Sequence, residues 1–239
     1  MSSRVSIGIP VYDQKIDFRI KHAIDVASLK QKAFKLHFSR SGILPRAFNY
    51  LLADALNDRA EGATHFLLWH NDIVPLEPGF LDKMLALMQT HQCDVLSVVS
   101  PIKDMRGLTT TALDTHPENP HWVKRLTMKE IYESYPPTWS DEKLLINTGL
   151  MLVNMTKPWV ENICFNFQET IFKVMKGIYR AAGVSEDWLF SRQAKLLGAK
   201  LAVTREISIQ HVGYTDFPNT SVWGQLETDN FVPRETPPF

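Results

Sequence analysis

An apolar run of strand length that ends abruptly in three polar residues constrains the fold of this chain more than any other feature. Residues 66–69 are apolar, His70-Asn71-Asp72 follows directly, and residues 73–75 are apolar again. A buried strand can stop at such a triplet only where its end opens onto water or a ligand. Ligands of open α/β sheets bind at the carboxyl ends of the strands, so this loop is predicted to belong to a metal or phosphate-sugar site.

Strand and helix patterns alternate throughout residues 1–101. The clearest helix starts near Pro45, and its apolar side chains recur every three or four residues along one face. Strands are predicted at 5–9, 34–38, 66–69 and 94–99, and helices at 18–29, from about 45 to 56, and at 78–90. This alternation predicts an α/β fold with a mostly parallel central sheet flanked by helices, of the nucleotide-binding type.

Residues 103–143 lack this periodicity and contain four prolines, so they are predicted to form a long loop excursion. Further elements are predicted downstream: a strand at 144–153, helices at 160–179 and from 185 to about 197, and a strand at 201–209. We expect a single domain over residues 1–217 and an extended tail over 218–239. Within the domain, residues 1–101 form the part with the nucleotide-binding type of pattern, and residues 102–217 form the remainder.

The composition excludes several classes of protein. The chain carries 26 Lys and Arg against 26 Asp and Glu, so no global attraction to nucleic acid or acidic membranes is predicted. Its two cysteines form no CxxC pair, which argues against a zinc knuckle or disulfide framework and favours a reducing compartment. No signal-like or membrane-spanning apolar stretch is present. We expect a soluble cytoplasmic protein, with no obligate protein partner evident.

The loop after the first predicted strand, Pro10-Val11-Tyr12-Asp13, has the composition of a base-binding site. Tyr12 could stack on a purine or pyrimidine ring, and Asp13 could accept a hydrogen bond from a base N–H. The same residues also suit an ordinary turn. Arg46 and Asn49 lie one helical turn apart near a helix start, where anions are favoured. The alternative is a solvated arginine and an asparagine satisfied within the fold.

Two further segments carry candidate catalytic or metal-binding side chains. Ser185-Glu186-Asp187-Trp188 suits a helix N-cap with acids in the first turn. It equally suits a general base beside a tryptophan that stacks on a sugar. His211 follows the last predicted strand, and a lone histidine is usually structural. At a strand end it could instead share a metal with Asp72, a donor pair that suits Mn²⁺ better than Mg²⁺; Asp72 could also simply cap the next helix.

Taken in order, six segments resemble the motifs of glycosyltransferases with the GT-A fold, closest to the broad family-two-like group that includes small phage and bacterial members. They are Val5-Ser6-Ile7-Gly8-Ile9-Pro10-Val11-Tyr12-Asp13, Ser41-Gly42-Ile43-Leu44-Pro45-Arg46-Ala47-Phe48-Asn49, His70-Asn71-Asp72, Asn147-Thr148-Gly149, Glu186-Asp187-Trp188 and His211-Val212-Gly213. The resemblance implies a GT-A, Rossmann-like fold over nearly the whole chain. In such a fold, residues 1–101 would bind the nucleotide, and residues 102–217 would bind the donor sugar and the acceptor.

The resemblance also implies roles for individual residues. Asp72 would match the second aspartate of the DxD motif and bind the metal with His211, while His70 takes the place of the first aspartate. Asp187, with Glu186, would match the acidic pair that supplies the acceptor-activating base. The residues expected to bind the donor are Pro10, Val11, Tyr12, Asp13, Arg46, Asn49, His70, Asn71, Asn147, Gly149 and Trp188.

These roles imply a metal-dependent glycosyltransferase that moves a sugar from a UDP-sugar to an acceptor hydroxyl. The alternatives are a nucleotidyltransferase, which would normally carry a Gly-rich basic loop after the first strand, and a non-catalytic nucleotide-sugar-binding module. The acceptor could be a glycan, a protein or a hydroxymethylated pyrimidine in phage DNA. The side chains that suggest DNA are Lys103, Arg106, Lys124, Arg125, Lys129, His116, His121 and Trp122.

Overall fold

The computed structural model of the protein describes residues 4–12, 15–29, 34–173 and 177–224. Its strands are β1 (Val5–Pro10), β2 (Phe34–Ser39), β3 (His65–Trp69), β4 (Ile73–Pro75), β5 (Val95–Val98), β6 (Leu108–Leu113), β7 (Lys124–Thr127), β8 (Thr138–Trp139), β9 (Leu144–Leu145), β10 (Leu150–Asn154), β11 (Gln168–Lys173), β12 (Tyr179–Val184), β13 (Leu201–Thr204), β14 (Ile209–Val212) and β15 (Asp216–Pro218). Its α-helices are α1 (Phe18–Asp25), α2 (Leu44–Asp58), α3 (Phe80–His91), α4 (Met128–Ser134) and α5 (Glu186–Leu196). Short 3₁₀ helices occupy Arg59–Glu61 and Pro158–Asn162.

A seven-stranded sheet in the order β2-β1-β3-β10-β5-β13-β8 forms the centre of the fold. Strand β1 pairs in parallel with β2 and β3, and β13 pairs in parallel with β5. Only β10 and β8 run against the others in this sheet. The predicted α/β architecture, a mostly parallel sheet flanked by helices, is confirmed.

Strand β3 shows why the sheet needs helices on both faces. Phe66 and Leu68 pack in a cluster with α2. Leu67 and Trp69 pack in a second cluster with α1 and α3. Successive side chains of a strand point to opposite faces, so a continuous apolar run is buried on both sides. The polar residues that follow β3 therefore lie where the strand leaves its two cores.

Residues 103–137 leave the central sheet, as predicted, and β8 rejoins it, but the expectation of a long loop is wrong. They contain β6, β7 and α4, and β6 lies between β7 and β9 in a separate three-stranded sheet. Thr109 and Thr111 of β6 are fully buried. The pairing joins residues far apart in the chain, for example Ala112 with Leu145, so no local periodicity marked these elements.

The prediction of a helix over residues 160–179 is also wrong. A short 3₁₀ helix ends at Asn162, and β11 and β12 then form an antiparallel hairpin. Strand β11 contains Thr170, Ile171 and Phe172, which are β-branched or aromatic and favour a strand. The strands predicted at 144–153 and 201–209 are each divided in two, as β9 with β10 and β13 with β14.

The segment after β14 folds back onto the sheet. Strand β15 pairs with β14, which in turn pairs with β4. Asn219 is fully buried, and its amide donates to the carbonyl oxygens of Val99 and Ile207 at 3.1 and 2.9 Å. Part of the predicted extended tail is thus packed; residues 225–239 lie outside the described residues. Within the described ranges, no helix combines the length and apolar character needed to span a bilayer.

Candidate active site

The His70-Asn71-Asp72 loop is a tight turn between β3 and β4. The backbone N–H of His70 donates to the Gly149 carbonyl at 2.8 Å, and that of Ile73 donates to the His70 carbonyl at 3.1 Å. Asp72 precedes a strand, and the next helix starts only at Phe80. The alternative that Asp72 caps a helix is therefore wrong. Its carboxylate is available for other contacts.

Asp72 faces two basic side chains from different parts of the chain. The Lys103 ammonium donates to Asp72 Oδ2, and His211 Nε2 lies 3.5 Å from the same oxygen. His211 Nδ1 donates to the Pro101 carbonyl at 2.7 Å, so Nε2 is the ring nitrogen directed at Asp72. The backbone N–H of Val212 also bonds to the Asp72 carbonyl, at 2.7 Å. The Asp72 carboxylate is thus the point where three segments meet: its own loop, the chain after β5, and strand β14.

The charge on Asp72 is stabilised in this setting. Burial alone would raise its pKa, but the hydrogen bond and charge of His211, with help from His70 and Lys103, hold the pKa below its usual range. The other carboxylate oxygen, Oδ1, is buried and has no hydrogen-bond partner among the described residues. A buried carboxylate oxygen without a donor is costly unless a cation or a ligand meets it.

These donors fit a divalent metal that takes the rest of its ligands from its substrate. In the described part of the chain, no group of three or more His, Cys, Asp or Glu could hold a metal ion. Asp72 and His211 would be the two protein ligands, and phosphate oxygens and water would complete the shell, as is common for ions bound with phosphates. The bond from His211 Nδ1 to a backbone carbonyl is the support that metal-binding imidazoles usually have.

Glu186 and Asp187 form a partly buried acidic pair in the first turn of α5. Asp187 Oδ1 accepts hydrogen bonds from the Thr148 backbone N–H at 2.9 Å and the Thr148 hydroxyl at 2.5 Å. Burial raises the pKa of Asp187, while the bonds from Thr148 and the charge of Arg125 act against that rise. Burial and the neighbouring Asp187 raise the pKa of Glu186 to about 7. Both pKa values are thus raised, which favours uptake of a proton, as a general base requires.

The Trp188 side chain is packed within the protein and is not exposed to a sugar ligand. It is 7% exposed, and its indole N–H donates to the Thr110 carbonyl at 3.1 Å. The Arg125 guanidinium lies 5.0 Å from the ring centroid. Ser185 occupies the N-cap position of α5 but its side chain makes no capping hydrogen bond. Thr148 thus holds Asp187 of this turn, while Trp188 packs in a cluster with Ala112, Leu145 and Val184.

Asn147 and Gly149 support the loop that carries His70. The Asn147 amide donates to the Val98 carbonyl at 2.7 Å, and its oxygen accepts from the Gly149 N–H at 3.0 Å. Gly149 in turn accepts the bond from His70 described above. The His70 ring lies 4.9 Å from the Phe48 ring, and burial lowers its pKa to about 4. His70 is therefore neutral at physiological pH.

The loop after β1 is only partly described. Val11 is buried and bonds to the Ser39 carbonyl, whereas Tyr12 is 77% exposed, with its ring beside Gly42. Pro10 ends β1, and Asp13 lies outside the described residues. Asn71 donates to the Lys15 carbonyl at 2.7 Å, which joins this loop to the Asp72 turn. The Tyr12 ring is therefore accessible from solvent.

Arg46 and Asn49 are occupied within the protein. The Arg46 guanidinium donates to the Tyr50 hydroxyl at 2.8 Å and lies over its ring. Asn49 binds the backbone of Phe165 twice, donating to its carbonyl and accepting from its N–H, both at 2.8 Å. The structure therefore places Asn49 at the contact between α2 and the segment before the β11–β12 hairpin.

Replacing Asn49 with alanine is expected to destabilise the protein without changing nucleotide affinity. The change leaves the Phe165 N–H and carbonyl without partners, which costs about 1–3 kcal/mol of unfolding free energy. Thermal melting with and without UDP measures both effects. Asn57→Ala, an exposed position on the same helix, is the matched control. A weakened UDP response with an unchanged melting temperature would contradict this structural role.

No protein-family model matches the sequence, and no curated protein matches it significantly. A solved structure, A197 from STIV, superposes with a TM-score of 0.54 over 88% of this chain and 86% of that chain, at 13% identity. The protein shares the fold of A197. The GT-A-like, Rossmann-like architecture predicted from the sequence is confirmed.

Two further solved structures match at lower similarity. TarS 1–349 of S. aureus in complex with UDP-GlcNAc gives a TM-score of 0.42 at 14% identity, over 85% of this chain and 56% of that chain. UDP-glucose pyrophosphorylase complexed with UDP-glucose gives 0.41 at 11% identity, over 88% and 93%.

The structure brings most of the predicted site residues together and adds Lys103 and Thr148 to them. Asp72 and His211 meet directly, and His70 connects them to the acidic pair through Thr148, whose hydroxyl lies 3.4 Å from His70 Nε2. Lys103 was noted in the sequence only as one of several basic residues. Lys103 follows β5, at the same edge of the sheet as the other strand ends. That position is the signal in the sequence that could have identified Lys103 as a site residue.

Proposed function

We propose that the protein is a glycosyltransferase that moves a sugar from a nucleoside-diphosphate sugar, a UDP-sugar, to an acceptor hydroxyl. The observation that carries this proposal is the arrangement around Asp72: an ionised carboxylate with an unpaired buried oxygen lies beside His211 and Lys103. Such a group suits a bound cation and a diphosphate. The second half of the site, the acidic pair of α5, suits the removal of a proton.

The proposed reaction is a displacement at the anomeric carbon of the donor. The acceptor oxygen bonds to that carbon, the bond from the carbon to the diphosphate oxygen breaks, and the nucleoside diphosphate leaves with the electron pair. Asp187 takes the proton of the acceptor hydroxyl. Lys103 lies beside Asp72, where its ammonium would face the diphosphate. A divalent ion held by Asp72 and His211, Mn²⁺ by the preference of this donor pair, would neutralise the developing charge.

The contacts of the basic residues do not favour DNA as the acceptor. Arg106 binds Asp104, and Lys124 binds Glu130. Arg125 lies over the Trp188 ring. Counterion release is the main electrostatic contribution to DNA affinity, and it is driven by cations that neutralise phosphates. A cation that is already paired with a carboxylate of the chain contributes less to it. We therefore propose a hydroxyl acceptor on a glycan or a protein.

A product analysis with a panel of UDP-sugars tests the proposed function. We expect Mn²⁺-dependent release of UDP, with or without added acceptor, and loss of the activity on chelation. Nucleotidyl transfer would instead give UTP and a sugar 1-phosphate when pyrophosphate is supplied. Donor binding by calorimetry, without any turnover across an acceptor panel, would indicate a non-catalytic binding module. Either of these two outcomes would overturn the proposal.

A further inference from the structure

Thr148 is buried between the two halves of the site and makes more contacts there than the sequence suggested. It is fully buried in the segment between β9 and β10. Its backbone N–H and its hydroxyl both bond to Asp187 Oδ1, at 2.9 and 2.5 Å. Because both bonds end on Oδ1, the second oxygen, Oδ2, remains for the proton of an acceptor.

The single proton of the Thr148 hydroxyl determines the direction of these bonds. Asp187 is a carboxylate acceptor, so the hydroxyl donates to it and must accept at its other side. The group on that side is His70, whose Nε2 lies 3.4 Å from Thr148 Oγ1. His70 is in turn fixed by its backbone bond to Gly149 and by its ring contact with Phe48. The threonine thus bridges the turn that carries Asp72 and the helix that carries Asp187.

We propose that Thr148 is a positioning residue that fixes the Asp187 carboxylate for proton abstraction and couples it to the turn that carries Asp72. This inference rests on the function proposed above. The side chain touches no reacting atom; it acts through Asp187. A carboxylate held by two donors in one geometry needs no reorganisation when the acceptor arrives, which is how preorganised groups lower a barrier.

Other charged groups also act on Asp187 and must be considered in any test. Glu186 precedes it on α5, and burial and the charge of Asp187 raise the pKa of Glu186. Arg125 of β7 lowers the pKa of Asp187 through its charge. On the opposite side lie Thr148 and, behind it, neutral His70. The Thr148 hydroxyl stabilises the ionised form of Asp187 by donating a hydrogen bond to it. Loss of the hydroxyl removes this stabilisation, so the pKa of Asp187 should rise.

Two substitutions separate the hydroxyl from the rest of the side chain. Thr148→Val keeps the shape and the backbone N–H but removes the hydroxyl, and Thr148→Ser keeps the hydroxyl. We expect the valine variant to lose about 10- to 100-fold in kcat, with unchanged donor affinity. The acid limb of its pH–rate profile should move to higher pH. The serine variant should restore both properties.

Thr111→Val is the matched control for deleting a buried threonine hydroxyl. Thr111 is fully buried in β6, and its Oγ1 has no partner among the described residues. This variant should keep the wild-type kcat and pH profile. If Thr148→Val folds poorly by circular dichroism, Thr148→Ala replaces it in the same comparison. A wild-type profile in the folded variant lacking the hydroxyl, or a serine variant as impaired as the valine variant, would overturn the proposal.

A measurement that needs no catalysis separates this inference from the proposed function. Carbon-13 NMR of the aspartate carboxyls, with Asp187 assigned from the Asp187→Asn variant, follows its titration directly. We expect the Asp187 pKa to be higher in Thr148→Val than in the wild type and Thr148→Ser. If the wild type proves to transfer no sugar but this shift is present, the proposed function fails while the positioning by Thr148 holds. An unshifted titration contradicts the positioning itself.

Discussion

Replacing Asp72 with asparagine is expected to abolish the effect of Mn²⁺ on nucleotide binding and to lower sugar transfer by about 10²–10³-fold. Asparagine has the same shape but carries no charge. The metal site loses its anionic ligand, while Lys103 and His211 remain beside the position of the diphosphate. UDP should therefore still bind, driven by these two side chains. The ratio of UDP affinities with and without Mn²⁺, measured by calorimetry, should fall to about one.

The matched control for this prediction is Asp54→Asn, which removes a carboxylate charge from α2 at a distance from the site. Asp54 is half exposed and lies 3.8 Å from His37. This variant should keep the wild-type affinity ratio and the wild-type rate. An Asp72→Asn enzyme that retains a Mn²⁺-dependent gain in UDP affinity would show that the metal binds elsewhere. Full transfer activity in that variant would contradict the role of Asp72 altogether.

The turn at Asp72 could be predicted from sequence because its cause is local. A strand buried on both faces must be apolar at every position, so β3 is visible as an unbroken run. The polar triplet directly after it then marks the strand end. The amphipathic pattern of α2 is equally local. Both features depend on neighbours within a few residues, which the sequence displays directly.

The partners of these elements could not be predicted in the same way. Asn49 was visible as a polar residue near the start of α2, but its contact lies at Phe165, in a segment that was predicted to be helical. The pattern that predicted the helix does not indicate which backbone will lie against its polar side chains. An asparagine that bonds one N–H and one carbonyl is indistinguishable in sequence from one that binds a ligand.

The excursion after β5 illustrates the same limit at the site. Strand β6 has partners on both sides, and Pro101 forms an isolated bridge with Thr109 at its base. This pairing places the chain after β5 so that Lys103 reaches Asp72. The contact joins residues that are 31 positions apart. The contact between Lys103 and Asp72 depends on how the three-stranded sheet packs. The sequence of residues 103–143 has no periodic pattern that indicates this packing.

Replacing Asp187 with asparagine is expected to lower kcat by about 10²–10⁴-fold, the usual contribution of a general base, with donor affinity unchanged. Asparagine oxygen can still accept both bonds from Thr148, so the local structure is preserved. NMR analysis of the wild-type product should show an inverted anomeric configuration, since Asp187 acts here as the base for a single displacement. Glu133→Gln, an exposed position on α4, is the control that should change neither quantity.

The same substitution is expected to raise the melting temperature at pH 8. Burial raises the pKa of Asp187 in the folded protein above its ordinary value of 3.8, so the folded state binds the proton more tightly than the unfolded state. Stability contributed by this carboxyl is therefore lost as pH rises through the folded pKa. The neutral asparagine avoids that loss, so its advantage in melting temperature should be greatest at pH 8 and shrink toward pH 4. Each 1 kcal/mol corresponds to about 2–4 °C in a chain of this size. An inactive variant that is also less stable at pH 8 would indicate that Asp187 supports the fold rather than the reaction.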